Sequence, residues 1–158
     1  MNASKNYAIE HLELLFQNEP ITGIGDTAGI LASAAAGSLY LRLCTDAVAI
    51  DRETVGTPAA YTGYVANGVA VARSAAKWTI TWNDTDNKAE AVNAEEEVFG
   101  ERTDSGAAEN IKYVEVWKNN TGTDLADRIG YMEFTNPLSV TLGVQPRIKA
   151  GKLKLKMF

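Results

Sequence analysis

The chain is expected to fold as a mainly β protein, an antiparallel β-sandwich or jelly roll of about eight strands preceded by one N-terminal α-helix. Three observations lead there. Beyond residue 37 apolar side chains recur at every second position, as in Leu39, Leu41 and Leu43 or Trp78, Ile80 and Trp82. Clusters of Gly, Asn, Asp and Pro interrupt this alternation at roughly ten-residue spacing. No long helical pattern separates the candidate strands, as a parallel βαβ sheet would require.

The helix is expected over residues 3–18. Ala8, Ile9, Leu12, Leu15 and Phe16 recur at spacings of three and four, Ser4 or Asn2 can cap the start, and Pro20 follows the end. ITGIGDTAGILASAAAG follows, a Gly- and Ala-rich stretch in which Asp26 could cap one short turn or the chain could run as a closely packed loop. SLYLRLCT (Ser38–Thr45) then reads as a strand with one buried side. Further strands are expected over Ala60–Arg73, Lys77–Asn83, Ala89–Phe99, Ile111–Lys118, Gly130–Phe134 and Leu138–Gly143.

The last strand is expected in the closing segment RIKAGKLKLKMF (Arg147–Phe158). Leu153, Leu155 and Met157 share one face there and Lys152, Lys154 and Lys156 the other. Ile148 has the opposite parity, so a turn or bulge is expected at Ala150-Gly151. At 158 residues the whole chain, 1–158, is one domain's worth, with the β-sandwich over 38–158.

The 15 Lys and Arg against 20 Asp and Glu leave a formal charge of −5 and a sequence pI of about 4.9. The closing segment holds five basic residues and no acidic one, so basic charge is local. An acidic body with one basic strand argues against a phosphate-binding face, and nucleic acid is not expected as a partner. Edge lysines guard a strand against unwanted pairing; they also form a contact row for an acidic protein surface. Arg147, Lys149, Lys152, Lys154 and Lys156 are accordingly the candidate protein-contact residues. Glu95, Glu96 and Glu97, from the acidic stretch between Asp84 and Glu109, are their candidate counterparts on a neighbouring copy.

Chemistry is sparse. Cys44 is the only cysteine and His11 the only histidine, which leaves no cysteine-based zinc site and one imidazole for any nucleophile–base pair. GIGDTAG lacks both the preceding strand and the Lys-Ser/Thr ending of a phosphate loop. No stretch approaches the roughly 20 apolar residues of a membrane span. No catalytic, metal or cofactor residues are therefore nominated, and Trp78, Trp82 and Trp117 are read as packing residues.

At AYTGYVANGVAVARSAAKWTI the sequence resembles a family of small virion proteins of tailed bacteriophages and prophages. GILASAAAGSLYLRLCTD is similar to that family's small-residue loop and first strand, and YMEFTNPLSVTLGVQPRIKAGKLKL to its closing pattern of strands and Pro-containing turns. The similarity covers roughly residues 3–83 and 110–156; members of that family are variously labelled as tail or fibre proteins, and relatives resemble jelly-roll decoration, or cement, proteins. The resemblance implies a non-enzymatic capsid decoration protein on the virion exterior, made in the bacterial cytoplasm. Its partners would be the major capsid protein and further copies of itself, with no membrane and no cofactor. The alternative it leaves open is a tail or fibre component involved in host attachment.

Overall fold

The computed structural model describes residues 4–25 and 29–157. Among these the protein is mainly β, with nine strands in antiparallel sheets and one N-terminal α-helix. The turn considered at Asp26 lies outside the described residues, as do the Asn2 cap and Phe158. The chain parts into two compact units, one from residues 1–37, 72–95 and 149–158, the other from 38–71 and 96–148.

In the first unit, helix α1 (Lys5–Leu12) starts at Ser4, whose side chain accepts from the Tyr7 N–H at 3.4 Å. One π-helical turn, Glu13–Gln17, prolongs it until Asn18 turns left-handed at φ 62°. Ala8, Leu12 and Phe16 form the buried stripe. The stripe serves a three-stranded sheet of order β3-β4-β9, with β3 at Trp78–Asn83, β4 at Lys88–Asn93 and β9 at Lys154–Met157. Cross-strand pairing puts Trp78, Ile80, Ala89, Ala91 and Leu155 on one face. Phe16 meets Trp78 edge-on there, ring centroids 4.8 Å apart. Thr79, Thr81, Glu90, Lys154 and Lys156 occupy the opposite face.

The second unit is built on a sheet of order β2-β1-β6-β7, with β1 at Ser38–Thr45, β2 at Val69–Ala72, β6 at Glu109–Trp117 and β7 at Arg128–Val140. Leu41 and Leu43 lie opposite Val116 and Val114 on one face; Arg42 and Cys44 lie opposite Glu115 and Tyr113 on the other. All eight are buried. The expectation of one buried side for β1 is therefore corrected, because loops from residues 46–60 and 119–127 fold over the polar face and are tied to it. A two-stranded ribbon completes the unit, β5 (Glu97–Val98) with β8 (Arg147–Ile148).

Three strand boundaries also differ from expectation. The segment Ala60–Arg73 is strand only at its end. Hydrogen bonds from Tyr64 N to Tyr61 O at 3.0 Å and from Gly68 N to Val65 O at 2.8 Å turn the chain twice before β2. Ala89–Phe99 divides into β4 and β5, interrupted after Asn93. Gly130–Phe134 and Leu138–Gly143 merge into β7, whose register jumps from Glu133 opposite Tyr113 to Leu138 opposite Ile111, leaving Phe134–Pro137 as a bulge. The closing segment behaves as expected: Gly151 takes φ +75° in the turn between β8 and β9, and Ile148, Leu153 and Leu155 are all buried.

Candidate functional site

The densest charge in the second unit is internal. Glu115 is 1% exposed, with a carboxylate that meets four donors. Oε1 accepts from Gly56 N and Arg128 Nη1, both at 2.9 Å, and Oε2 accepts from Trp117 Nε1 at 3.1 Å and Cys44 Sγ at 3.5 Å. Arg128 also donates to the carbonyls of Thr54, at 2.6 Å, and Asp51. Arg42 lies 4.3 Å over the Trp117 ring and donates to the Gly122 carbonyl at 2.6 Å. The group thus welds two long loops to the sheet. A carboxylate sharing both oxygens with such donors has little lone-pair capacity left for a substrate proton.

Gly56 is needed there for space. A Cβ at that position would meet Ile50 Cδ1 and lie 2.9 Å from Cys44 Sγ. Burial, and then the Glu115 charge, push the Cys44 thiol up from its ordinary range, so no thiolate is available at neutral pH. Cys44 is therefore expected to resist a thiol-alkylating reagent in the folded protein and to react fully in denaturant, which mass spectrometry reads directly.

Arginine performs the same task elsewhere. Arg102 donates to the Val140 carbonyl at 2.8 Å, the Ala107 carbonyl at 2.9 Å and the Asp104 carboxylate at 2.7 Å. In the first unit Arg73 donates to the carbonyls of Leu14, Leu15 and Ala36, so it caps the C-terminal end of the helix and pins the Ala-rich loop. Arg73→Lys cannot reproduce that fork. It is expected to destabilise the protein by about 1–3 kcal/mol, read by chemical denaturation.

The candidate contact residues fall in two places. Arg147 Nη1 pairs with Glu96 Oε1 at 3.0 Å in the second unit, where Glu97 is buried at 8% exposure on β5. In the first unit Lys77 pairs with Glu95, and Lys156 with Asp86 and, at 3.5 Å, with Glu90. Lys154 approaches Glu90 at 3.9 Å. Lys149 and Lys152 are exposed and in no ion pair among the described residues. The acidic stretch thus meets basic side chains within its own chain. Eight basic residues balance eight acidic ones in the first unit, against seven and twelve in the second.

Lys156 holds the Asp86 carboxyl below the usual carboxylate range, and Arg102 does so for Asp104. Carboxyls with depressed folded values contribute stability that is present above their unfolded value near pH 4 and lost as pH falls through the folded value. Unfolding in acid is therefore expected to set in only below about pH 4. An acid titration followed by circular dichroism checks this.

Sequence reading passed over Asn93. It is 1% exposed and organises the approach to β9: its side chain donates to Glu95 O at 2.7 Å and Lys149 O at 3.1 Å and accepts from Leu153 N at 2.9 Å. Its own backbone bonds Leu153 O at 3.2 Å and Gly151 N at 2.8 Å. Among the described residues no three His, Cys, Asp or Glu side chains converge as a metal site would need, and no helix is long and apolar enough to cross a membrane. Comparison with family models, with curated proteins and with solved structures gave no significant match.

Proposed function

We propose that the protein is a non-enzymatic structural component of a bacteriophage virion, a decoration or cement protein that binds the outer surface of the head and strengthens contacts between capsomers. In this reading the antiparallel sheets belong to a sandwich of the jelly-roll kind, and the resemblance of the YTGY-to-AVARS segment and the closing segment to phage virion proteins supplies the context. The observation that carries the reading is the division of charge. Buried Glu115 and Arg102 engage side chains and backbone inside the fold, whereas Lys149, Lys152, Lys154 and Lys156 stand exposed along the final turn and strand. Such a surface suits electrostatically guided docking on an acidic partner, and repetition over a shell multiplies modest contacts.

The test is cosedimentation of the purified protein with intact and expanded phage heads. Binding to heads is expected, weakening as salt rises. The Lys152→Ala, Lys154→Ala, Lys156→Ala triple variant is expected to lose about tenfold in affinity. It should stay folded, since exposed ion pairs are worth about 0.2–1 kcal/mol each. Copurification with tails, together with failure to bind heads, overturns the reading in favour of a tail or fibre component.

A further inference from the structure

The two edges of the sheet in the first unit differ. β9 carries lysine at every second position, the usual protection of an outer strand against unwanted pairing. β3, at the opposite edge, has no charged residue or proline between Trp78 and Asn83 and no bulge in its register. Its hydrogen bonds show which groups face outward. Lys77 O accepts from Ala94 N at 2.8 Å on the β4 side. Trp78 N donates to Ser74 O at 3.0 Å, and Trp78 O accepts from Gln17 Nε2 at 2.7 Å, on the outer side. Antiparallel alternation therefore turns Thr79 and Thr81 towards β4 and the N–H and C=O of Ile80 and Trp82 outward, where no described residue bonds them. The apolar face runs out at the same place. Ala89 and Ala91 are fully covered and Trp78 lies against Phe16, but Ile80 and Trp82 are only half-buried.

We infer that the Ile80–Trp82 edge of β3 pairs with the same edge of a second copy, antiparallel across a two-fold axis at Thr81. The open window is self-complementary. Centring the pair on Thr81 sets Ile80 of each copy opposite Trp82 of the other, which closes a ladder of main-chain hydrogen bonds and matches β-branched with aromatic side chains on the apolar face. The two Thr81 side chains then meet on the solvent face, where a Thr–Thr pair is favourable. Other registers are restricted: Ser74 and Gln17 occupy the outer groups of Trp78 at one end, and the strand stops at Asn83 at the other. Charge selects a neutral strand of this kind. The first unit balances eight basic against eight acidic residues, and Lys5 and Asp84, exposed beside the window, pair with each other at 3.9 Å. So short a ladder belongs with interfaces below about 1,200 Å², so the pairing is weak in free solution and gains strength where copies are held side by side. This inference does not depend on the virion reading.

The test is sedimentation velocity of the intact protein from about 10 μM to about 1 mM, with amide exchange followed residue by residue by NMR. Dimers are expected towards the upper end of that range. Exchange at the Ile80 and Trp82 amides should slow as concentration rises, while that at Thr79 and Thr81, already bonded to β4, should not change. Thr81→Lys, at an exposed position, should leave the melting temperature unchanged and weaken association at least about tenfold by setting two cations face to face. Thr81→Glu should weaken it likewise, and an equimolar mixture of the two variants should associate again. A monomer at every concentration, or exchange at Ile80 and Trp82 independent of concentration, overturns the inference. So does a Thr81→Lys protein that associates as the parent does, or a mixture no more associated than its parts. Association that high salt abolishes also overturns it, and points to the lysines of β9 instead.

Discussion

Glu115→Ala is expected to remove about 3–5 kcal/mol of unfolding free energy, because it leaves Arg128 as a buried cation without its carboxylate. The side chains on both sides of that pair are almost wholly covered, 3% and 1% exposed, so solvent cannot take over. Gly56 N, Trp117 Nε1 and Cys44 Sγ would lose their acceptor at the same time. Against a total stability of about 5–15 kcal/mol, this places the second unit at the margin. Glu115→Gln keeps the shape and some acceptors but not the charge, and is expected to cost about half as much. Denaturant titration of both variants, followed by circular dichroism and tryptophan fluorescence, reads the difference. A loss below about 1 kcal/mol for the alanine variant would show that the loops hold without this centre.

The second large effect is expected at Asn93→Ala. Truncation leaves the buried Leu153 N–H without its side-chain acceptor and frees the carbonyls of Lys149 and Glu95. Buried groups stripped of partners cost about 1–3 kcal/mol each, so a loss of about 3 kcal/mol is expected. The consequence should be local as well as global. Amide protection is expected to fall first in β9 and the turn before it, while β1 and β6 keep theirs until global unfolding. Hydrogen exchange by mass spectrometry separates these regions. Uniform loss of protection would mean that Asn93 does not organise the C-terminal strand in particular.

The mainly antiparallel β class, the N-terminal helix and the details of the last strand were legible because each rests on a local period. Lys152, Leu153, Lys154, Leu155 and Lys156 alternate in sequence as they do in burial. The buried stripe of Ala8, Leu12 and Phe16 follows the helical repeat in the same way. What could not be read was non-local. Alternation makes Arg42 and Glu115 look solvent-facing, and only the folding-over of distant loops turns their side of the sheet into an interior. A charged residue within an aliphatic or aromatic strand, as in LYLRLC and YVEVW, was the available signal for such a buried pair. Asn93 and Arg73 left fainter traces, because their partners are backbone groups and any sequence presents those. The ion pairs of Lys77 with Glu95 and Lys156 with Asp86 likewise depend on which strands lie side by side, a property of the register.

These placements make some charged residues loop staples within the fold and leave Lys149, Lys152, Lys154 and Lys156 exposed at its surface, where the proposal assigns them to contacts. The functional claim built on them is that the protein works as a repeated surface component of a phage head. Imaging virions with this protein labelled tests that claim most directly. The account predicts a regular lattice of label over the head, in copies numbering on the order of hundreds, as multivalent decoration requires. Label confined to the tail or fibres, or absent from the virion, would contradict it.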